Sequence, residues 1–325
     1  MLQDAEVQGQ LTGVAVARLA PRVSHLLFAD DTLAGKGVLI KTVIQSLPTY
    51  AMSCFQLPLG LLWSLESLMA DFCWQNQGEK RVHWIAWRKL CQPVVNRGLG
   101  FHELKEFNLA LLAKVRLLLK EGCRSIPKEG WRWQFECSGR FSVKSAYRHA
   151  VTMRDRELAS TSTSGQLLSR GRGSLWSLIW HSGVLPKVKI LIWRLCNEAL
   201  PTLVKLARRA ESVDTTCAVC GMGSESLKHL FWECPFSRQV CALSNIAWHM
   251  LSTWTDGPRE WMLGVAQQVD RDERGWVFTL CWAIWRHRCQ RLMEGRGQEP
   301  WWVWRNAMIM LDSYSTANRC QEPNN

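Results

Sequence analysis

Four residues carry the most specific chemistry in this chain: Cys217, Cys220, His229 and Cys234, spaced C-x2-C-x8-H-x4-C within eighteen residues. Two cysteines separated by two residues can aim both sulfurs at one ion from a tight turn. A histidine and a cysteine on a following helical turn can then close a tetrahedron, as in a structural zinc site. Gly221, Gly223 and Ser224 supply the turn residues just after the first pair, where the chain must reverse. The competing reading is four ordinary side chains of a reduced protein; a redox C-x-x-C would need a preceding strand and a βαβ setting, which are missing here. Cys241, seven residues beyond Cys234, is the reserve ligand and is expected on a following helix.

The elements around the cluster read as helices. Residues 176–194 form a helical pattern on both sides of Pro186, residues 203–210 a basic helical turn, and residues 235–292 a tryptophan-rich helical stretch. Upstream, residues 38–76 are helical with interruptions at Pro48 and Pro58. Their helical spacing is carried by Trp63, Glu66, Ser67, Ala70 and Trp74. The clearest helix spans about residues 103–120, with the stripe Leu104, Phe107, Leu111, Val115 and Leu118, and Gly122 as its stop. Ser142 is the candidate cap of a helix entered from a short strand at Phe141. An apolar run from Val23 into Asp30 and Asp31 reads as a strand whose tip presents carboxylates. The last dozen residues are expected to fray.

Hydrophobic residues make up 47% of the 325 and charged residues 21%, a globular composition with 19 tryptophans spread along the chain. Thirteen scattered cysteines suit a reducing compartment better than a disulfide framework. No leader-like N-terminus and no run of 18 apolar residues occur, so the expectation is a soluble, intracellular protein without a membrane partner. The net charge is +12 and localised: residues 80–148 hold 15 Lys or Arg against 5 Glu, and residues 166–210 hold 8 against one. Such segments attract phosphate backbones. RNA or single-stranded DNA is therefore the expected partner, through Lys187, Lys189, Arg194, Lys205, Arg208 and Arg209. Trp180 and Trp193 are candidate stacking surfaces, although core burial is the expected fate of Trp193.

The string Ser24-His-Leu-Leu-Phe-Ala-Asp-Asp31 resembles the catalytic-strand motif of reverse transcriptases encoded by plant LINE-type (non-LTR) retrotransposons. The similarity continues in order through residues 37–52, Phe72-Cys-Trp74, Gly98-Leu-Gly100, Phe107-Asn-Leu-Ala-Leu-Leu-Ala-Lys114 and Gly139-Arg-Phe-Ser-Val-Lys-Ser-Ala-Tyr147. Trp176, Trp180, Pro186-Lys-Val-Lys189, Trp193-Arg194, Leu200-Pro-Thr202, Arg208-Arg209 and the Cys/Cys/His/Cys cluster then resemble that family's zinc-binding domain. Trp282-Ala-Ile-Trp285-Arg286 resembles its following helix.

The resemblance implies an α+β, predominantly α-helical protein. Its parts would be a palm remnant (1–33), a helical thumb and connector (34–135), a lead-in to the zinc-binding domain (136–158), a linker (159–174), the zinc-binding domain (175–245) and a helical extension (246–325). It implies RNA-directed DNA polymerase as the family activity and Asp30 and Asp31 as catalytic ligands, with magnesium as cofactor only if that activity survives. Polymerases of this class hold two metal ions on three carboxylates. Asp4, Glu6 and Glu66 do not match the upstream motif, and 29 residues ahead of the pair are too few for the rest of the palm and fingers. The expectation is a truncated derivative with zinc retained and polymerase chemistry lost. An active polymerase and a zinc-stabilised module without nucleic-acid binding are the alternatives.

Overall fold

The computed structural model describes residues 31–74, 83–123, 133–160, 175–209, 213–244, 254 and 257–319. The chain divides into two compact units, Met1–Arg170 and Gly171–Asn325.

In the first unit, α1 (Asp31–Leu39) runs on into a π turn (Ile40–Ile44), followed by α2 (Thr49–Cys54) and α3 (Leu59–Trp74). Pro48 and Pro58 stand just before α2 and α3, where a missing N–H costs nothing. The buried face of α3 is Leu62, Met69, Ala70, Cys73 and Trp74, whereas Trp63 is 63% exposed. After α4 (Trp87–Leu90), Gly98 and Gly100 fold back on it. Leu99 N–H donates to Leu90 and Gly100 N–H to Gln92, both at 2.9 Å. A Cβ at Gly98 would lie 1.8 Å from the Gln92 carbonyl oxygen, and Gly100 has φ +72°, so this turn requires both glycines.

Helix α5 (Leu104–Cys123) continues through Gly122, and α6 (Val143–Ser160) packs along it. Ser142 Oγ accepts the Ser145 N–H at 3.1 Å, the cap anticipated for α6. The buried face of α5 includes two polar residues, Glu106 and Asn108, among its apolar ones. Asn108 donates to the carbonyls of Met52 and Phe55 and accepts from Leu57 N–H, closing the C-terminal end of α2. Glu106 and Glu103 share Arg154 of α6, and Glu66 of α3 accepts the Leu104 N–H at 2.7 Å.

The second unit comprises α7 (Leu175–Trp180), α8 (Pro186–Cys196), α9 (Leu203–Ala207) and a π turn (His229–Glu233). Helices α10 (Pro235–Ala242), α11 (Pro258–Gln268), α12 (Arg271–Glu294) and α13 (Pro300–Arg319) follow. Helix α12 is its axis, packed by α8, α10 and α13. From Val277 to Trp285 every residue of α12 is buried and all but Thr279 are apolar, as suits a central helix; the Thr279 hydroxyl donates to the Gly275 carbonyl at 2.8 Å. An Asp270–Glu273 capping box starts it and Gly295, at φ 65°, stops it. Trp193, Trp261, Trp285, Phe278 and Ile179 are the largest fully buried side chains here.

Three expectations change. Asp31 opens a helix, and the rest of the anticipated palm strand, including Asp30, lies outside the described residues. Among the described residues the sole β pairing is a bridge between Thr216 and Ser224, so the α+β expectation gives way to a helical fold. The anticipated fraying of the last dozen residues is also displaced. Helix α13 persists to Arg319 because Val303, Ala307 and Leu311 bury one of its faces. No helix among the described residues is long and apolar enough to cross a membrane, and no disulfide joins cysteines among them.

His287 of α12 gives this unit a pH dependence. It is buried, stacked on Phe236 of α10 at 4.5 Å, and its Nε2 accepts the Gln298 N–H at 3.0 Å. Burial, aided by Arg291, pushes its pKa down to about 4. The unfolded chain therefore binds the extra proton first as pH falls below the usual histidine range. Stability contributed by neutral His287 is full above pH 6.5 and is lost as pH falls toward 4. Urea titrations should show this loss, at up to about 1.4 kcal/mol per pH unit. His287→Phe should flatten the profile, and an unchanged profile would show that the ring is not held neutral.

Candidate metal centre

The loop before the cluster is shaped by its own polar side chains. Asp214 Oδ1 accepts the Thr216 N–H at 2.9 Å and its hydroxyl at 2.7 Å, which turns the chain into the Thr216–Ser224 bridge. Cys217 N–H donates to Gly223 and Glu225 N–H to Thr215, so the two limbs of the hairpin run side by side. Gly221 and Gly223, at φ 70° and 66°, make the reversal. The Met222 N–H points at Cys220 Sγ at 3.4 Å, the type of contact that stabilises a thiolate.

The other two members come from the following turn. His229 opens the π turn, its N–H held by Ser226 Oγ at 3.0 Å. Cys234 N–H donates back to the His229 carbonyl at 2.6 Å, and Cys234 also stands at the N-cap of α10 with Pro235 in the first helical position. The wide turn brings a histidine and a cysteine five positions apart onto one side.

The four potential ligand atoms all lie within 4.8 Å of one another, and Cys220 Sγ stands 3.3 Å from His229 Nε2. Tetrahedral bonds of about 2.3 Å to sulfur and 2.1 Å to nitrogen place neighbouring ligands roughly 3.6–3.8 Å apart. The side chains therefore need to close by about an ångström to meet one ion. Cys217 and Cys234 are fully buried. The Cys217 thiol is pushed well above its ordinary value by its hydrogen bond to Cys234 and by burial, and that same bond holds Cys234 below its own. Three sulfurs and one imidazole are a donor set suited to zinc. The reserve candidate, Cys241, is buried on α10 and is not one of the four.

Glu225, which has no local sequence signal to single it out, fixes the hairpin to the core. Fully buried, its carboxylate accepts from Arg288 Nη2 at 2.5 Å, from Arg288 Nε at 3.0 and 3.1 Å, and from Leu203 N–H at 3.0 Å. Arg288 also donates to the Pro201 carbonyl at 3.1 Å and lies over the Trp285 ring at 4.8 Å. One ion pair thus ties together the hairpin, the start of α9 and the central helix.

Most of the basic residues assigned to nucleic acid from the sequence have structural work. Lys187 stands over the Trp282 ring at 4.6 Å. Lys189 donates to the Trp180 carbonyl at 2.9 Å, and burial lowers its pKa. Arg194 is half-buried and donates to the Ala199 carbonyl at 3.2 Å. Lys205 donates to the Glu198 carbonyl, pairs with its carboxylate at 3.6 Å, and is likewise lowered by burial. Arg208 and Arg209, just past α9, are exposed. Trp193 is completely buried and unable to stack on a base; Trp180 is half-buried.

Among the described residues, no carboxylates gather into a set of three or more potential ligands. Asp4, Glu6 and Asp30 lie outside the described residues, Asp31 opens α1, and Glu66 is committed to the start of α5. Among the described residues, the Cys/Cys/His/Cys group is the one set of three or more potential ligands that converges.

Residues 141–240 match the protein family described as zinc-binding in reverse transcriptase, and all four cluster residues fall inside that span. A reverse-transcriptase-related zinc-binding region is therefore present, running from the start of α6 into α10. An Arabidopsis thaliana protein named as a candidate ribonuclease H is 22% identical over 346 aligned positions, covering 69% of this chain and 54% of its own length. Two uncharacterized mitochondrial proteins of the same plant are similar over shorter stretches. One is 46% identical over 71 residues, covering 21% of this chain and 46% of its own. The other is 36% identical over 69 residues, covering 20% of this chain and 57% of its own. The chain spans about half the length of the curated relatives it matches. No solved structure matches it.

Proposed function

We propose that Cys217, Cys220, His229 and Cys234 hold one structural zinc ion in a chain derived from a LINE-type retrotransposon reverse transcriptase, which contacts nucleic acid without copying it. The convergence of three sulfurs and one ring nitrogen within 4.8 Å carries this reading. Four protein ligands leave no open coordination position, so the bound metal supplies folding energy rather than an activated water. Cys217 and Cys234 close the buried side. Cys220 closes the outer side from the glycine hairpin, and His229 does so from the π turn.

Nucleic-acid contact is supported by the exposure of Arg208 and Arg209 beside a helix anchored to the hairpin through Glu225. Arg208→Gln with Arg209→Gln should weaken binding to a single-stranded oligonucleotide. It should also flatten the salt dependence by up to about 0.7 in log–log slope for each phosphate no longer neutralised. An unchanged slope removes both residues from the interface. The absence of copying is our reading of the sequence: Asp4, Glu6 and Glu66 do not match the upstream carboxylate motif, and two-metal transfer needs several convergent oxygen ligands. No extension of a primed template is expected from this chain alone. Synthesis that vanishes in the Asp30→Ala, Asp31→Ala variant would contradict that part of the reading.

A further inference from the structure

Helix α6 carries three exposed cations, Lys144, Arg148 and Arg156, and all three line one open cleft of about 660 Å³ in the first unit. Lys144 to Arg156 spans about 18 Å of helix axis at 1.5 Å per residue. The cations are thus spread along a groove rather than gathered at a point. No ion pair holds any of the three among the described residues. The neighbouring Arg154, by contrast, is taken up by Glu103, Glu106 and Asp155.

The rest of the lining, residues 135–138, contributes one aromatic ring. Phe135 stacks on His149 of α6, with centroids 3.7 Å apart and planes inclined by 26°, yet keeps 41% of its surface exposed. Trp133 packs edge-on against both Phe135 and Phe141, at 4.9 and 4.8 Å, and its indole N–H donates to Ser145 Oγ at 2.9 Å. The exposed ring is therefore braced from behind. One carboxylate, Glu136, also lines the cleft and accepts from the Ser142 hydroxyl at 2.7 Å. Three cations against one anion leave the groove net positive.

We infer that this cleft binds a single-stranded nucleic acid, with Lys144, Arg148 and Arg156 along the phosphodiester backbone and Phe135 stacked on a base. The inference rests on the nucleic-acid reading above and assigns that contact to a site distinct from Arg208 and Arg209. A row of cations beside a braced, exposed aromatic is the arrangement that holds single strands without reading sequence. An acidic peptide would use the cations but leave the ring without a partner.

The test is fluorescence anisotropy of a labelled oligothymidylate with the full chain across a salt series. The variant K144Q/R148Q/R156Q should bind at least about tenfold more weakly, and its log–log salt slope should fall by about 2, at roughly 0.7 per neutralised phosphate. Phe135→Ala should weaken binding about fivefold or more and leave the slope unchanged. The charge-preserving variant K144R/R148K/R156K should bind as the unaltered chain does, and matching urea midpoints across the set exclude misfolding. If the glutamine variant binds normally while R208Q/R209Q does not, the cleft assignment fails and the broader reading stands. If the unaltered chain does not bind the oligonucleotide, both fail. Polyglutamate competing as well as oligothymidylate, with Phe135→Ala silent, would make the cleft an acidic-protein site and overturn the inference.

Discussion

Cys217→Ser should abolish zinc binding and open residues 213–244 to protease, as should chelation of the unaltered protein. Apart from the Glu225 anchor, the hairpin has a small apolar core of its own. Between Cys217 and Cys234 the buried apolar side chains are Val219, Leu227, Leu230 and Phe231, and the reversal itself is built on two glycines with positive φ. Structural zinc is worth roughly 10–16 kcal/mol in isolated zinc-finger peptides. Here the hairpin also rests on Glu225 and the helical core, so part of that sum survives, and the effect should be local. Amide exchange should rise across the hairpin and the start of α10 while the centre of α12 stays protected. Retained zinc and unchanged protease resistance in Cys217→Ser would remove that residue from the site.

Arg288→Ala should be the most damaging substitution away from the cluster, at about 3–5 kcal/mol. It strands a carboxylate that is fully buried, deprives the Pro201 carbonyl of its donor and uncovers the Trp285 face. The loss should appear as a lower urea midpoint and, because Glu225 follows the hairpin directly, as faster zinc release. Arg288→Lys keeps the charge but loses the fork that meets the carboxylate through both Nε and Nη2, so it should recover only part of the stability. Replacing both partners with apolar residues should not restore it fully, because the Leu203 N–H and the Pro201 carbonyl would still lack partners. A cost below about 1 kcal/mol for Arg288→Ala would mean that the pair is dispensable.

The cluster of four side chains was legible because its geometry is local: eighteen residues bring them together, and glycine and serine mark the turn between them. The helices on either side of Pro186 and the cap at Ser142 were legible for the same reason. What the sequence hid is long-range. Glu225 reads as one more polar residue of a Gly-Ser-rich turn, and its partner lies 63 positions away on a helix that looks merely tryptophan-rich. Asn108 sits inside an apolar stripe, with nothing local to mark it as the residue that closes α2. The intramolecular contacts of the basic residues were hidden in a related way. Lysines near helix ends and tryptophans are drawn to carbonyl oxygens and ring faces, which is what became of Lys187, Lys189 and Lys205. Net charge counts such residues equally with Arg208 and Arg209, which are exposed. The strand expectation rested on residues 23–31, and only Asp31 of these is described, at the first position of a helix.

The central claim is the metal centre, and zinc-edge X-ray absorption on the purified chain tests it most directly. The arrangement predicts one zinc per chain with three sulfur neighbours near 2.3 Å and one nitrogen near 2.0–2.1 Å. It also predicts that Cys220→Ser removes one sulfur from that shell or the metal altogether. A shell dominated by oxygen, or an unaltered three-sulfur shell in Cys220→Ser, would contradict it.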